Sequence, residues 1–261
     1  MIELATIGKR GLELRGPLML AAGGYGNELD LDTLEQVHAF VTLPTTLRPH
    51  APERAIPRVN DLHGGVLWNR EGANPGLATV LHEQRRAWRR MRIPLILTLA
   101  SEGVAHWGEI AARVGRVEAI SGLELELAEG IDVQAATAQV RAQTDLPLLA
   151  RIALERPLEA AQGALEGGAD ALVVGLEPRG VEIGAQWWSG RLAGPFCKPL
   201  ALRALYDVAE HFPGTPLVGA GGIHTSDDVR AFLEIGARAV QIDTAVWRNP
   251  KALDEITNGL K

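Results

Sequence analysis

The chain has 261 residues, a formal net charge of −6, and 46% hydrophobic and 22% charged residues. This composition is typical of a globular protein and argues against a disordered, collagen-like or coiled-coil chain. The acidic balance argues against a nucleic-acid-binding protein, and the single cysteine excludes an intramolecular disulfide and a cysteine-rich zinc site. No apolar stretch is long enough to span a bilayer and no signal peptide is recognisable, so we expect a soluble, cytoplasmic protein.

Strand-like and helix-like segments alternate along the chain. A hairpin is predicted first, with strands at Ile2–Ile7 and Leu12–Arg15. Eight further strands are predicted, and the segments between them carry apolar residues at helical spacing. In chain order these strands are Pro17–Ala22, Ala39–Thr45, Pro94–Ala100, Ala119–Ala128, Pro147–Leu154, Ala171–Leu176, Pro216–Gly219 and Ala239–Thr244.

This alternation predicts an α/β fold, a (β/α)8 TIM barrel with an N-terminal β-hairpin. The alternative is an open doubly wound sheet, for which eight strand–helix units would be many. No linker or low-complexity tract divides the chain, so residues 1–261 are expected to form one domain. The proline-containing stretch Arg48–Asp61 is interpreted as a long loop, and such loops are often functional.

In a barrel of this kind, the functional site lies at the carboxyl ends of the strands, and phosphate is often bound after strands seven and eight. Strand seven ends at Gly221–Gly222, where adjacent glycines let backbone N–H groups approach a ligand. Strand eight ends beside it at Asp243–Thr244. We therefore expect a phosphate pocket there. The alternative is a tight turn followed by a capping box between Thr225 and Asp228.

The carboxyl-terminal part of the chain contains a distinctive run of glycine, proline and lysine. It is Gly190–Pro199 (GRLAGPFCKP), followed by Ala201–Arg203, Gly221–Ile223 and Gln241–Ala245. These segments resemble the dihydroorotate dehydrogenase family.

The resemblance extends towards the amino terminus and covers nearly the whole chain. Pro17–Gly23 is similar to the first barrel strand of the family, and Val41–Arg58 to its second strand and proline-rich loop. Asn69–Gly76 is similar to its asparagine-containing substrate loop, and the N-terminal hairpin also matches.

The resemblance implies FMN in the barrel mouth and oxidation of dihydroorotate to orotate, a step of pyrimidine biosynthesis. In that reaction a base abstracts a proton and a hydride passes to the flavin. The positions implied for the cofactor are Ala21, Ala22, Gly23, Gly221, Gly222 and Thr244, and those for the substrate are Asn69 and Gly72.

The sequence also departs from the family pattern around the expected site. Leu43 replaces a lysine that contacts the flavin, and Asp243 replaces a glycine whose N–H faces the phosphate. A carboxylate at that turn would repel a phosphate dianion and crowd its approach, which weighs against FMN. The loop that carries the catalytic base is absent, because the chain runs from Glu126–Gly130 directly into a helix. Arg151 stands where the family has a lysine, and Arg191 where it has a glycine.

The remaining candidates for catalysis are Glu126 and Arg151. The segment Leu123–Leu127 alternates leucine with glutamate, which predicts leucines facing the helices and Glu124 and Glu126 in the barrel lumen. Arg151 is expected to point inward from the adjacent strand. Because buried charges are tolerated mainly when paired, our hypothesis is a structural Glu126–Arg151 ion pair. The alternative is that Glu126 or Glu129 acts as a base.

Other conspicuous residues have simpler interpretations. The isolated histidines, which are not spaced as metal ligands, are His63, His106 and His224, and no metal site is expected. Cys197 is interpreted as a small packed residue. Trp187–Trp188 is expected to close the mouth or to lie at a partner surface. The basic run Glu83–Arg92 is interpreted as a solvated helix face with Trp88 pointing inward.

Three functions remain open from the sequence. The first is an FMN oxidoreductase of the dihydroorotate dehydrogenase family, in which loss of the base loop impairs or abolishes dihydroorotate oxidation. The second is a non-catalytic barrel that acts as a binding or regulatory protein without flavin. The third is an unrelated activity built on Glu124, Glu126 and Arg151. In each case we expect a small-molecule ligand in the barrel mouth. The sequence leaves the oligomeric state open, with a homo-oligomer as one alternative.

Overall fold

A computed structural model describes residues 1–5, 10–21, 31–51, 59–69, 74–183 and 187–261. The strands are β1 (Ile2–Ala5), β2 (Leu12–Leu14), β3 (Leu18–Ala21), β4 (Ala39–Val41), β5 (Val59–Leu62), β6 (Gly65–Trp68), β7 (Leu95–Leu99), β8 (Gly122–Leu127), β9 (Leu148–Ala153), β10 (Ala171–Leu176), β11 (Arg179–Ile183), β12 (Trp187–Ala193), β13 (Leu217–Ala220) and β14 (Ala239–Ile242). The α-helices are α1 (Leu31–Glu35), α2 (Gly76–Trp88), α3 (Trp107–Val114), α4 (Val133–Arg141), α5 (Pro157–Glu166), α6 (Lys198–His211), α7 (Ser226–Ile235), α8 (Ala245–Arg248) and α9 (Ala252–Leu260), and 3-10 helices span Ser101–His106 and Pro195–Cys197.

Eight strands of the described chain form a closed parallel barrel. Around the barrel they follow chain order, β3, β4, β7, β8, β9, β10, β13 and β14, and β14 pairs with β3 to close it. All eight strands predicted from the sequence are present, so the barrel prediction is confirmed and the open sheet is excluded. No helix in the described ranges has both the length and the apolar character needed to cross a membrane.

Two apolar cores lie on opposite sides of the barrel wall. The larger core fills the layer between strands and helices, where Phe40, Trp107 and Phe232 are fully buried. The smaller core fills the lumen and includes Leu4 and Leu14 of the N-terminal hairpin. The hairpin precedes β3 in the chain, so it closes the amino-terminal end of the barrel. Polar side chains can therefore gather only at the opposite end of the lumen, where the strands end.

The predicted N-terminal hairpin is present, with β1 and β2 antiparallel and Ile2 opposite Leu14. Its first strand is described only as Ile2–Ala5, because residues 6–9 lie outside the described part of the chain. The hairpin is held to the barrel by Arg238, whose Nη1 donates to the carbonyl oxygen of Glu3 at 2.8 Å.

A four-stranded antiparallel sheet covers the carboxyl ends of the barrel strands, in the order β11, β12, β6, β5. Trp68 at the end of β6 packs edge-on against Trp247 of α8, with ring centroids 5.2 Å apart. The sheet was not predicted, and the interpretation of Arg48–Asp61 as a loop is wrong at its end, because Val59 opens β5. Residues 52–58 lie outside the described ranges. The turn between β5 and β6 contains Gly64, whose φ of 86° favours glycine.

Candidate functional site

Arg151 is the centre of a buried polar network at the mouth end of the lumen. From β9, its Nη1 donates to Oε1 of Gln241 on β14 at 2.7 Å. Its Nη2 donates to the carbonyl oxygen of Gly175 at 3.3 Å and to Oε1 of Glu177 at 3.2 Å. Oε1 of Glu124 lies 3.6 Å from Nη1. The two carboxylate side chains are only 1% and 7% exposed, so this network is shielded from water.

The network lies in an acidic environment. Burial disfavours the charged form of Arg151, but attraction to four carboxylates, led by Glu177 and Glu124 and followed by Asp243 and Glu126, outweighs it and raises the pKa of Arg151. The arginine therefore stays protonated.

The prediction that Glu124 and Glu126 face the lumen is confirmed, but the predicted ion pair has a different geometry. Glu126 lies opposite Arg151 in the β8–β9 register, and its charge attracts Arg151. The close ion pairs of Arg151 are instead with Glu124 and Glu177, because the guanidinium extends across the lumen towards β14. Oε2 of Glu126 accepts from the backbone N–H and the hydroxyl of Ser101, at 3.4 and 3.5 Å.

The glycine pair lies beside this network, as predicted. Gly221 and Gly222 have φ angles of 99° and 73°, and a Cβ at Gly222 would lie 2.4 Å from the backbone nitrogen of Lys198. Both glycines line a cleft together with Thr244 and Asp243. The cleft measures only about 20 Å³, which is room for about one water molecule.

The capping box considered as the alternative for this turn is also present. The hydroxyl of Thr225 accepts from the backbone N–H of Asp228 at 3.1 Å, and the Asp228 carboxylate accepts from the backbone N–H of Thr225 at 2.9 Å. Burial opposes the ionised form of Asp228. Hydrogen bonds from Lys198, His224 and Thr225 outweigh that effect, so the pKa of Asp228 is lowered. The glycine turn therefore leads into a firmly capped helix.

A second cavity of about 250 Å³ lies between the end of β8 and the covering sheet. Its lining residues are Asn69, Ser101, Glu102, Glu126, Ala128, Glu129, Ile131, Arg179, Gly190 and Arg191. Carboxylates come from the barrel side and guanidinium groups from β11 and β12, so the cavity carries opposite charges on opposite walls. Nη1 of Arg191 donates to the carbonyl oxygen of Glu177 at 2.9 Å, which links this cavity to the Arg151 network.

The predicted site residues therefore divide between two cavities. Thr244, the glycine pair and Arg151 line the small cleft, whereas Asn69 and Glu126 line the larger cavity. Ala21 is 5% exposed and belongs to the luminal core. The remaining predicted cofactor and substrate residues, Ala22, Gly23 and Gly72, lie outside the described residues.

Several residues of the site were missed by sequence reasoning. Glu177 and Gln241 complete the Arg151 network, and Ser101 and Arg179 line the larger cavity. Glu177, Gln241 and Ser101 each lie at or near the carboxyl end of a barrel strand. This position in the sequence could have indicated that they belong to the site. Leu43 stands where the family resemblance implies a lysine that contacts the flavin. It is half-buried and packs against the larger core, between strands and helices.

The fold and the site define a class of protein. It is an α/β barrel whose ligand cavity lies between the carboxyl ends of the strands and an inserted antiparallel sheet. The family model described as dihydroorotate dehydrogenase matches residues 174–261.

Similarity to curated proteins extends over nearly the whole chain. The dihydroorotate dehydrogenase B (NAD(+)) catalytic subunit of Geotalea uraniireducens is 31% identical over 276 residues, which cover 96% of this chain and 90% of the relative. The subunit of the same name from Pelobacter propionicus is 31% identical over 281 residues, covering 98% and 92%. That from Desulforudis audaxviator is 32% identical over 285 residues, covering 96% and 89%. The chain belongs to the dihydroorotate dehydrogenase family.

Proposed function

We propose that this chain is a non-oxidising member of its family. It binds a small dipolar molecule in the barrel mouth, in the larger cavity between the end of β8 and the covering sheet. The observation that carries the proposal is the filled mouth end of the lumen. Arg151, Glu124, Glu177 and Gln241 bond to one another there and leave a cleft of about 20 Å³ beside the glycine pair. Pockets for organic ligands typically measure hundreds of Å³, so this cleft is too small for one, whereas the larger cavity of about 250 Å³ has room for a small molecule.

The described residues do not fit FMN. A phosphate at the Gly221–Gly222 turn would face Asp243 and Glu177, which line the same cleft. Like charges repel strongly where water is largely excluded, and Arg151 is already bonded to carboxylates.

The end of β8 also lacks the expected base. The reaction implied by the family resemblance requires a base within about 3 Å of the departing proton. Ala128 stands in the larger cavity at the end of β8, and its methyl side chain cannot accept a proton. Two carboxylates lie close to Ala128 in the sequence. Glu129 is the next residue and lines the same cavity, and Glu126 accepts hydrogen bonds from Ser101.

The charge pattern of the larger cavity indicates the class of ligand. Glu126 and Glu129 provide negative charge on the barrel side, and Arg179 and Arg191 provide positive charge on the sheet side. A small molecule with an ammonium group at one end and a carboxylate at the other would match both walls.

The first experiment tests flavin binding. The purified protein is mixed with FMN, desalted and examined by visible absorption, and we expect no retained flavin spectrum. Asp243→Gly is expected to raise FMN affinity, and Asp243→Asn separates the charge of the side chain from its size. Stoichiometric FMN retained by the unaltered protein would overturn the proposal.

A second experiment tests the ligand class with three molecules of one skeleton. These are 4-(aminomethyl)benzoate, 4-methylbenzoate and benzylamine, which carry both charges, only the negative charge and only the positive charge. We expect the first to raise the melting temperature most, since ligands that bind the folded state stabilise it. Equal shifts from all three would contradict a dipolar site.

A flavin-dependent oxidoreductase is the second candidate, and the glycine turn favours it. Gly221 and Gly222 keep the left-handed backbone and the close approach that a phosphate loop requires. If FMN is retained, anaerobic bleaching of the flavin by dihydroorotate would support this candidate against the first.

We also propose a homo-oligomer. Val181, Ile183 and Trp187 lie at the β11–β12 hairpin with 59%, 67% and 76% of their surface exposed, and such apolar clusters are typical of contact surfaces. The three relatives are named catalytic subunits, which favours assembly with another chain as well. Light scattering that gives the mass of one chain at micromolar concentration would contradict this proposal.

A further inference from the structure

A groove of about 470 Å³ lies at the end of the barrel opposite the mouth. It forms where α2 and α3 end and their connections turn towards the amino-terminal ends of β7 and β8. We call it the basic groove. Its lining residues are Ala78, Leu81, His82, Arg85, Trp88, Arg89, Arg116, Val117, Glu118 and Ala119.

The basic groove concentrates positive charge in an acidic protein. Arg85, Arg89 and Arg116 face the single carboxylate of Glu118, which leaves a formal charge of +2 in a chain of net charge −6. Among the described residues, none of these three arginines forms an ion pair with a carboxylate. No ion pair among the described residues therefore uses their charge.

Stabilisation of the helix ends does not account for this charge. The carboxyl end of an α-helix carries about half a negative charge, so α2 and α3 together contribute about −1. Arg85 lies in the last turn of α2, where it favours the helix. Arg89 and Arg116 lie beyond the last helical residues and add charge that the two helix ends do not balance.

The floor of the basic groove is apolar and contains a donor without an acceptor. Trp88 is 2% exposed, as the sequence predicted for the inward side of this helix. Its indole N–H is buried and has no hydrogen-bond partner in the described part of the chain. Leu81 and Val117 complete the apolar lining. The partly exposed Leu81 and Val117 can contact an apolar group in the groove, and a buried donor without a partner is unusual in native proteins.

We propose that the basic groove is a second binding site, for an organic anion with a compact apolar body. The negative group is a phosphate or a pair of carboxylates, held by Arg85, Arg89 and Arg116 while the body lies against Leu81 and Val117. The site is separate from the barrel mouth and does not depend on the function proposed for it.

The test uses phenyl phosphate and phthalate as probes, with phenol as the uncharged control. Binding is measured by titration calorimetry at low ionic strength and again at high ionic strength. We expect saturable binding of at least one anion, weakened by salt because the arginines are exposed, and no binding of phenol. Preference for phenyl phosphate would assign a phosphate ligand, and preference for phthalate a dicarboxylate ligand. Absence of binding by both anions would overturn the proposal.

Two double variants, one inside the basic groove and one outside it, provide the decisive comparison. Arg85→Gln with Arg89→Gln removes two charges from the basic groove. Arg86→Gln with Arg90→Gln removes the same two charges from exposed positions that do not line it. The first pair should weaken the preferred anion about tenfold, and the second by less than about threefold. Equal losses from both pairs would show diffuse attraction and overturn the proposal.

A variant on the opposite wall gives an independent check. Arg116 lies on the connection after α3, and Arg116→Gln should also weaken binding of the preferred anion. Thermal melting followed by circular dichroism checks that each variant is folded. We expect no loss of the fold, because the replaced arginines are exposed and have no ion-pair partners within the described ranges. An unchanged affinity in Arg116→Gln would contradict the two-walled site.

Discussion

Replacing Arg151 with methionine tests whether the luminal network determines the stability of this barrel. Methionine keeps most of the length of the side chain and removes the guanidinium that contacts Glu124, Glu177 and Gln241. The two carboxylates, 1% and 7% exposed, would then lie in the lumen without their cation. Removing one partner of a buried ion pair typically costs about 3–5 kcal/mol, and we expect a loss of that size at pH 7.

Urea unfolding, followed by tryptophan fluorescence at pH 7 and pH 5, measures this loss and its pH dependence. In the Arg151→Met variant, burial without a cation raises the pKa of the Glu124 and Glu177 carboxyls above the ordinary value of about 4.3. The folded variant then binds protons more readily than the unfolded chain, so its deficit should shrink as the pH falls from 7 to 5. Arg156→Met is the matched control, because the Arg156–Glu159 pair is 80% and 66% exposed and contributes little.

Two outcomes would refute the reasoning. One is a loss below about 1 kcal/mol at pH 7, the value expected of a surface pair. The other is a deficit that does not change between pH 7 and pH 5. A variant that combines Arg151→Met with Glu124→Gln and Glu177→Gln should recover most of the stability, because it removes the buried charges together with their cation.

Three further predictions concern local features of the fold. Thr225→Ala removes the helix cap and should cost about 1 kcal/mol in urea unfolding, whereas Thr225→Ser should cost much less; equal costs would contradict a capping role. Gly222→Ala should destabilise more than Gly214→Ala, because both have positive φ but only the former places a Cβ 2.4 Å from the Lys198 nitrogen; the reverse order in thermal melting would refute this. Burial raises the pKa of the Cys197 thiol to about 12, so a disulfide reagent at pH 8 should modify it only after unfolding; rapid labelling of the folded protein would contradict that.

The barrel strands could be predicted because each is a short apolar run placed between helical segments. Ala171–Leu176 was predicted with its observed ends, and Pro216–Gly219 differs from Leu217–Ala220 by one residue at each end. The covering sheet was missed for a physical reason. Strands such as Val59–Leu62 are short, exposed on alternate residues and inserted between barrel units, so their periodicity is weak.

The site could be predicted only as far as the backbone determines it. The alternation in β8 placed Glu124 and Glu126 in the lumen, and the glycine pair indicated the turn after β13. The partners of Arg151 could not be deduced in the same way. Glu177 and Gln241 reach it from β10 and β14, and only closure of the barrel brings these strands around one lumen.

The position of the N-terminal hairpin has a consequence for how the chain folds during synthesis. The hairpin and β3 are synthesised before the rest of the barrel, but β3 obtains its second neighbour only when β14 is made, where Val240 pairs with Leu18. Until then, one edge of β3 has no neighbouring strand to pair with. The apolar residues of the hairpin also lack a complete lumen to pack into. Pairing between the two ends of a chain is slow because the whole intervening loop must close first. Completion of the barrel is therefore a late step of folding, and the incomplete barrel is prone to aggregation until that point.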